Sequence, residues 1–153
     1  MLLNQENFSN VIQHTPLVSI DLIIENREGH VLLGKRINEP ACGYWFVPGG
    51  RIFKEESLDD AFLRTTSSEL GISIDRKKAK FYGLYEHFYS NNVFNDDFST
   101  HYIVLAHQIK IDELPLVNQQ HSEYKWFSIQ EILENESVHL YTKDYFTKRG
   151  ERA

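Results

Sequence analysis

Residues 48–72 read PGGRIFKEESLDDAFLRTTSSELGI, and the local signals in this stretch determine the expected fold. Ser57 is a typical helix N-cap with a carboxylate three residues later, and Gly71 is a typical helix stop. These boundaries predict a helix over Leu58–Leu70. The diglycine at 49–50 follows a proline, which predicts a tight turn between an aromatic strand and this helix.

Glu69 falls on the apolar side of the predicted helix. At about 100° per residue it shares a sector with four residues, Leu58, Ala61, Phe62 and Thr65. Burying an unpaired carboxylate costs on the order of several kcal/mol, so Glu69 needs a cation beside it. The residues leave two candidates open, which are a basic side chain near the helix end and a metal ion.

Further elements are expected on both sides of residues 48–72. Apolar, aromatic and β-branched runs predict strands, and polar caps with apolar spacing predict two flanking helices. The expected strands cover residues 17–25, 30–33, 44–47, 80–88, 101–109 and 124–127, and the expected flanking helices cover 4–12 and 141–149. Strands mixed with a few helices predict an α/β or α+β sandwich.

The composition limits the class of protein. With 153 residues, of which 41% are hydrophobic and 25% charged, the chain is expected to form one globular domain, residues 1–153. The 16 basic and 22 acidic residues give a net charge of −6, which argues against indiscriminate binding to nucleic acid or an anionic membrane. Cys42 is the single cysteine, which excludes an intrachain disulfide. We find no leader pattern and expect a cytoplasmic protein.

Residues 50–72 resemble the Nudix box, the loop-helix-loop signature of hydrolases that act on nucleoside diphosphates linked to another group. The matching positions are Gly50, Glu56, Arg64, Glu69, Gly71 and Ile72. The resemblance implies an α/β fold, the Nudix-type α/β/α sandwich with a mixed β-sheet between helices. Two glutamates of the usual box are absent, because Thr65 and Ser68 occupy their positions.

The rest of the chain resembles the GDP-mannose mannosyl hydrolases, an atypical group within the Nudix family whose box lacks the same two glutamates. The similar segments are residues 15–21, 32–36, 43–51, 100–102 and 120–121. The resemblance implies hydrolysis of GDP-mannose, and of GDP-glucose, by attack of water at the sugar C1 with inversion. The products would be GDP and the free sugar.

The same resemblance implies a metal ion and a general base. One Mg²⁺ per subunit, which Mn²⁺ can replace, would be held by the Gly49 carbonyl, Glu69 and the side-chain oxygen of Gln120. These are hard oxygen donors of the kind that Mg²⁺ prefers. His121 matches the general base, and an unperturbed histidine pKa suits proton transfer at neutral pH. Taken alone, His121 is more typical of a solvated loop histidine than of a catalytic base, and only the resemblance favours the catalytic role.

Five further residues are implied to contact the sugar diphosphate. Arg36 and Arg51 match arginines that bind the phosphates and the leaving group, and Tyr102 matches a hydrogen-bond donor to the diphosphate. Asp21 and His87 match residues that face the mannosyl group. From the residues alone, surface ion pairs for the arginines, a buried ion pair for Asp21 and an ordinary strand aromatic for Tyr102 stay open.

The N-terminal segment is implied to bind the nucleoside. Leu2, Leu3 and Phe8 align with that segment, and an aromatic ring can stack on a purine, although Phe8 alone is more typical of a core residue. Within the box, we expect Glu56 and Arg64 to form a supporting ion pair rather than to bind metal.

Three functions are compatible with these patterns. The first is the GDP-mannose hydrolase described above. The second is a conventional Nudix pyrophosphohydrolase that gives GMP and a sugar 1-phosphate, and Thr65 and Ser68 count against it. The third is a non-catalytic module that binds nucleotide sugars, and the joint presence of a base, metal ligands and arginines counts against it. The expected partners are GDP-mannose or GDP-glucose and a second copy in a homodimer, with no nucleic acid and no membrane.

Overall fold

The computed structural model describes residues 2–112, 114 and 123–147. Helices and strands follow one another along the chain, with short 3-10 helices at Arg76–Lys78 and Asp144–Phe146. The helices are α1 (Gln5–His14), α2 (Leu58–Leu70), α3 (Ile129–Glu134) and α4 (Leu140–Lys143). The strands are β1 (Leu17–Glu25), β2 (Val31–Lys35), β3 (Trp45–Phe46), β4 (Gly49–Arg51), β5 (Lys80–Tyr89), β6 (Thr100–Lys110) and β7 (Tyr124–Phe127).

The strands form one mixed sheet. Its main order is β3-β2-β1-β6-β5, with β4 added against β1 and β7 against β2. The central strands β1 and β6 are parallel along the whole length of β1, and the other pairs are antiparallel. A parallel pair needs a long crossover connection, which here contains β2 to β5 and helix α2.

Helices cover both faces of this sheet. On one face α2 buries Ala61, Phe62 and Leu70 against alternate residues of β1, namely Ile20, Leu22 and Ile24. On the other face α3 and the C-terminal segment pack on the remaining apolar side chains, including Ile23, Leu33, Phe127, Ile132 and Tyr145. The predicted α/β/α sandwich with a mixed sheet is confirmed. Among the described helices, none combines the length and apolarity that a membrane span requires.

Helix α2 begins and ends at the predicted residues. The side chain of Ser57 accepts a hydrogen bond from the Asp60 amide at 3.1 Å, which caps the N-terminus. Gly71 adopts the left-handed conformation with φ of 79°, which a glycine at a helix end takes without steric cost.

The diglycine at 49–50 forms a strand, so the predicted tight turn is wrong. Strand β4 runs antiparallel to β1, with Gly49 opposite Asp21. A Cβ atom on Gly49 would lie 2.5 Å from the Ile20 carbonyl oxygen and 2.6 Å from Asp21 Oδ1. Glycine is therefore required at position 49 because β4 lies so close to β1, and not because of a turn.

The predicted helix over 141–149 is also corrected. Helix α4 ends at Lys143, and a 3-10 turn places the buried Tyr145 against the sheet. The carbonyl of Tyr145 accepts a hydrogen bond from the Tyr82 hydroxyl. In a continuing α-helix that carbonyl would instead accept a hydrogen bond from the amide four residues later. Residues 148–153 lie outside the described part of the chain.

Candidate active site

Two adjoining cavities open beside β4. The inner lobe, of about 110 Å³, is lined chiefly by polar residues that include Asp21, Arg36, His87, Tyr89 and Tyr102. The outer lobe, of about 500 Å³, is lined by Leu2, Leu3, Phe8, Phe53 and neighbouring residues of α2. The two lobes share Gly49, Gly50, Arg51 and Glu69 as a common wall. Most of the predicted site residues that the structure describes thus lie around one depression.

Glu69 stands in the wall between the lobes. It is only 5% exposed, as its place on the apolar side of α2 predicts. The Gly49 amide donates to Oε1 and the Tyr124 hydroxyl donates to Oε2, each at 3.3 Å. Burial raises the pKa of Glu69 to about 7, although these two hydrogen bonds and the charge of Arg36 act in the opposite direction. A cation bound here would relieve the cost of burying the carboxylate.

Asp21 projects from β1 into the inner lobe. Its Oδ2 accepts a hydrogen bond from the Tyr145 hydroxyl at 2.5 Å. Burial raises the pKa of Asp21 to about 6, against the opposing effects of the Tyr145 hydrogen bond and the Arg36 charge. Among the described residues, no basic side chain lies within ion-pair distance of Asp21. Its direct partner is therefore a phenol rather than the arginine or histidine that the sequence left open.

Arg36 and Arg51 bring positive charge to the two lobes. Arg36 donates from Nε to the Pro40 carbonyl at 2.9 Å. The guanidinium of Arg51 lies over two rings, 4.7 Å from the centroid of Phe8 and 5.0 Å from that of Phe53. Within the described ranges neither arginine forms an ion pair with a carboxylate, so the alternative of surface salt bridges is not what the structure shows. Both charges are available to an anionic ligand.

Arg64 differs from these two arginines because a carboxylate neutralises it. Its Nε lies 2.6 Å from Glu56 Oε2, which confirms the expected ion pair of the box. Arg64 also donates to the Arg51 carbonyl at 2.8 Å, and Glu56 accepts the Phe53 amide at 2.9 Å. The pair therefore fixes the end of β4, from which Arg51 projects.

His87 and Tyr102 form part of the inner wall on β5 and β6, where they face each other in the ladder. His87 is 6% exposed, and its ring lies parallel to Tyr141 with centroids 4.3 Å apart. Burial lowers the pKa of His87 to about 4, so the imidazole is neutral at pH 7. Burial also raises the pKa of Tyr102, which keeps its hydroxyl protonated as a donor.

Leu2, Leu3 and Phe8 line the outer lobe, as their alignment with a nucleoside-binding segment implies. Phe8 also contacts Phe94 edge to face, with centroids 6.0 Å apart. One face of the Phe8 ring is covered by the Arg51 guanidinium. The ring thus serves first to hold an arginine, and its stacking on a base stays a prediction.

The sequence missed one residue that lines the inner lobe, Tyr89, and one that bonds to a lining residue, Tyr145. Tyr89 lies two positions after His87 on β5, so the alternation of side chains along a strand would have placed it in the same lobe. Tyr145 gave no such signal, because it meets Asp21 across 124 residues of sequence.

Gln120 and His121 lie outside the described residues, so the metal set and the general base stay predictions. Within the described part of the chain, no three His, Cys, Asp or Glu side chains are grouped so as to hold a metal ion. The predicted set does not require such a group, since only Glu69 would contribute a carboxylate and Gly49 would contribute its carbonyl.

A family model described as NUDIX domain matches residues 15–147. The chain belongs to the Nudix family. Nudix hydrolases generally use a divalent metal ion such as Mg²⁺. This Nudix chain is 39% identical over 141 residues to the low-salt glycan biosynthesis protein Agl8 of Haloferax volcanii, covering 92% of the chain and 86% of that protein.

Solved Nudix structures share the fold. The MutT protein from Methanosarcina mazei Go1 superposes with a TM-score of 0.70 at 23% identity, covering 91% of this chain and 96% of that one. The NUDIX domain of Shewanella oneidensis NrtR, complexed with ADP ribose, superposes with a TM-score of 0.65 at 18% identity, covering 97% and 99%. At these identities the similarity establishes the fold of this Nudix chain and not its substrate.

Proposed function

We propose that this Nudix chain hydrolyses GDP-mannose, and also GDP-glucose, at the sugar C1 to give GDP and the free hexose. The observation that carries the proposal is that α2 presents one carboxylate to the lobes, at Glu69, and none at positions 65 and 68. Glu69 is buried at the wall between the lobes, whereas Thr65 and Ser68, at the positions of the other two box glutamates, line the outer lobe. Fewer carboxylates bind fewer metal ions, and attack at phosphorus by metal-delivered water becomes less favourable.

The two lobes suit the two ends of a nucleotide sugar. The outer lobe carries apolar and aromatic side chains, among them Leu3, Phe8 and Phe53, which suit a purine nucleoside. The inner lobe carries hydrogen-bonding groups from Asp21 and Tyr102, which suit a hexose. The wall that the lobes share would then lie beside the diphosphate.

The residues of that wall fit a divalent metal ion. Gly49 and Glu69 are in direct hydrogen-bond contact, and burial of the Glu69 carboxylate favours a nearby positive charge. We propose that Glu69, the Gly49 carbonyl and the Gln120 side-chain oxygen hold one Mg²⁺ per subunit, which Mn²⁺ can replace. When bound, the ion neutralises charge on the diphosphate and so makes GDP a better leaving group.

The chain's own groups supply the rest of the chemistry. Arg36 and Arg51 stabilise the charge that develops on GDP as the bond from C1 to the diphosphate oxygen breaks and its electron pair leaves with GDP. The carboxylate of Asp21 stabilises positive charge at C1. His121 takes a proton from the water whose oxygen forms the new bond to C1, on the face opposite GDP. That geometry inverts the configuration at C1.

Two observations support the hexose part of the substrate. The inner lobe, of about 110 Å³, is small and is lined chiefly by polar side chains that can bond to sugar hydroxyls. The relative from Haloferax volcanii carries a name that places it in glycan biosynthesis, a process that uses activated sugars.

Product analysis tests the proposal. Incubation with GDP-mannose and Mg²⁺ is expected to give GDP and mannose in equal amounts. Formation of GMP and mannose 1-phosphate would establish a conventional pyrophosphohydrolase instead. Saturable binding of GDP-mannose without turnover would establish a non-catalytic binding module.

A cytoplasmic homodimer whose subunit is a single domain, residues 1–153, belongs to the same proposal. Sedimentation equilibrium of the full chain is expected to give twice the subunit mass of 18.0 kDa. A mass of one subunit across the micromolar range would contradict the dimer without affecting the chemistry.

A further inference from the structure

Tyr145 lies behind the inner lobe and is held at both ends. Its side chain is fully buried, and it is not among the residues that line the lobe. Its hydroxyl donates to Asp21 Oδ2 at 2.5 Å, and its carbonyl accepts the hydroxyl of Tyr82. The Tyr85 ring meets the Tyr145 ring edge to face, with centroids 4.7 Å apart. Packing therefore fixes the position of the phenol oxygen.

Asp21 is confined from the other side by Gly49. Asp21 Oδ1 lies only 2.6 Å from the place where a Cβ atom on Gly49 would stand. The backbone of Asp21 is fixed as well, because β1 pairs with β4 on one edge and with β6 on the other. Two torsions of the side chain are thus its main remaining freedom, and the hydrogen bond from Tyr145 restricts both.

We propose that Tyr145 is a positioning residue. It holds the Asp21 carboxylate in the orientation in which it faces the reacting carbon of the hexose, and it does not touch the substrate itself. The inference rests on the proposed function for the role of Asp21 and extends it to a residue of the C-terminal 3-10 helix. A charge-assisted hydrogen bond from a rigid phenol suits this task, because it is stronger and more directional than one from water.

The expected consequence is a loss in kcat rather than in substrate binding. Misplacing a catalytic group by about 1 Å can cost on the order of 100-fold in rate, so Tyr145→Phe is expected to lower kcat by about 10- to 100-fold. KM is expected to change by less than about threefold, because Tyr145 contacts neither lobe and the nucleotide contacts are intact.

A double-mutant cycle separates positioning from general stability. Tyr145→Phe is introduced into the wild-type chain and into Asp21→Asn, and kcat is measured for each with GDP-mannose. If Tyr145 acts through Asp21, the loss disappears in the Asp21→Asn background to within about twofold. An equal fold loss in both backgrounds would overturn the proposal and indicate a structural role. No loss in the wild-type background would overturn it as well.

The matched control is Tyr85→Phe, which removes a phenol hydroxyl from the same aromatic cluster without touching Asp21. It is expected to leave kcat within about twofold of the wild type. A loss in Tyr85→Phe as large as that in Tyr145→Phe would contradict a specific role for Tyr145.

A crystal structure of Tyr145→Phe gives a readout that does not depend on turnover. We expect the Asp21 carboxylate to occupy a different rotamer, or several, while the backbone of β1 is unchanged. An Asp21 carboxylate in its original position would overturn the inference. If the wild type gave GMP and mannose 1-phosphate, the proposed function would fail, and this structure would still decide whether Tyr145 orients Asp21.

Discussion

The Gly49 amide donates a hydrogen bond to Glu69 Oε1 at 3.3 Å, which joins β4 to α2 at the boundary between the two lobes. The hydrogen bond places the backbone of β4 directly beside the Glu69 carboxylate of α2. Arg51, two residues further along β4, belongs to the same wall. Negative charge for a metal ion and positive charge for a diphosphate therefore lie next to each other in a chain whose net charge is −6.

Glu69→Gln is expected to weaken metal binding and to stabilise the metal-free protein. Loss of the carboxylate should raise the Mg²⁺ concentration needed for half-maximal activity by about 10- to 100-fold. Because burial raises the pKa of Glu69 from 4.5 to about 7, the cost of burying this group grows as the pH rises from 4.5 and is complete above about pH 7. Urea unfolding of the metal-free chain at pH 8 should therefore show a gain of about 1–3 kcal/mol. Glu136→Gln, at an exposed position, is the matched control. An unchanged Mg²⁺ requirement would remove Glu69 as a ligand.

Gly49→Ala and Gly50→Ala should differ sharply in stability. A Cβ atom at 49 would meet the Ile20 carbonyl oxygen at 2.5 Å, whereas one at 50 would approach Thr65 no closer than 3.4 Å. Overpacking of this kind costs about 1–3 kcal/mol, so Gly49→Ala is expected to lower the free energy of unfolding by at least that amount. Gly50→Ala is expected to cost less than about 1 kcal/mol. Equal losses in urea denaturation would show that β4 does not lie so close to β1.

His87 is expected to make stability depend on pH. Burial lowers the pKa of His87 from its ordinary value of 6.5 to about 4, so protonation favours the unfolded chain. The stability that the neutral His87 contributes to the folded state is complete above pH 6.5 and is lost as the pH falls from 6.5 to about 4. Asp21 and Glu69 act in the opposite sense because burial raises the pKa of each.

The comparison of wild type with His87→Gln isolates this histidine. When the pH falls from 7.5 to 5, the wild type should lose about 2 kcal/mol more of its free energy of unfolding than His87→Gln does. Chemical denaturation at the two pH values measures it. A difference that is independent of pH would mean that His87 titrates normally.

Arg51→Lys is expected to raise the dissociation constant for GDP by about 10-fold or more in the presence of Mg²⁺. Lysine keeps the charge, but it lacks the planar guanidinium that binds phosphate oxygens in pairs and that lies over the rings of Phe8 and Phe53. The control is Arg27→Lys, whose side chain pairs with Asp112 on the exposed surface. Calorimetric titration with GDP measures the dissociation constant of both variants. If Arg51→Lys bound GDP as tightly as the wild type, Arg51 would be excluded from phosphate binding.

Local signals were sufficient for the parts of the fold that depend on neighbours in sequence. Helix α2 and strand β1 were predicted to the residue, because the Ser57 cap, the Gly71 stop and a long apolar run are local features. Strand β4 was not predicted, because glycine and proline indicate a turn unless the close approach of β1 is known. The burial of Tyr145 depends likewise on contacts with distant strands.

The candidate site divides in the same way. The buried Glu69 and the ion pair between Glu56 and Arg64 follow from helical spacing, and both were expected from the sequence. The hydrogen-bond partner of Asp21 was not expected, because Tyr145 is 124 residues away in sequence and leaves no pattern around position 21. Resemblance to a family predicts which residues belong to a site, but it does not show which other side chains hold those residues in position.

The position of water attack is the central claim, and hydrolysis of GDP-mannose in water labelled with oxygen-18 tests it most directly. Attack at the sugar carbon is expected to place the label in mannose, with β-mannose seen first by proton NMR, and to leave GDP unlabelled. Label in a phosphate group of the nucleotide or of a sugar phosphate would show attack at phosphorus and would contradict the account.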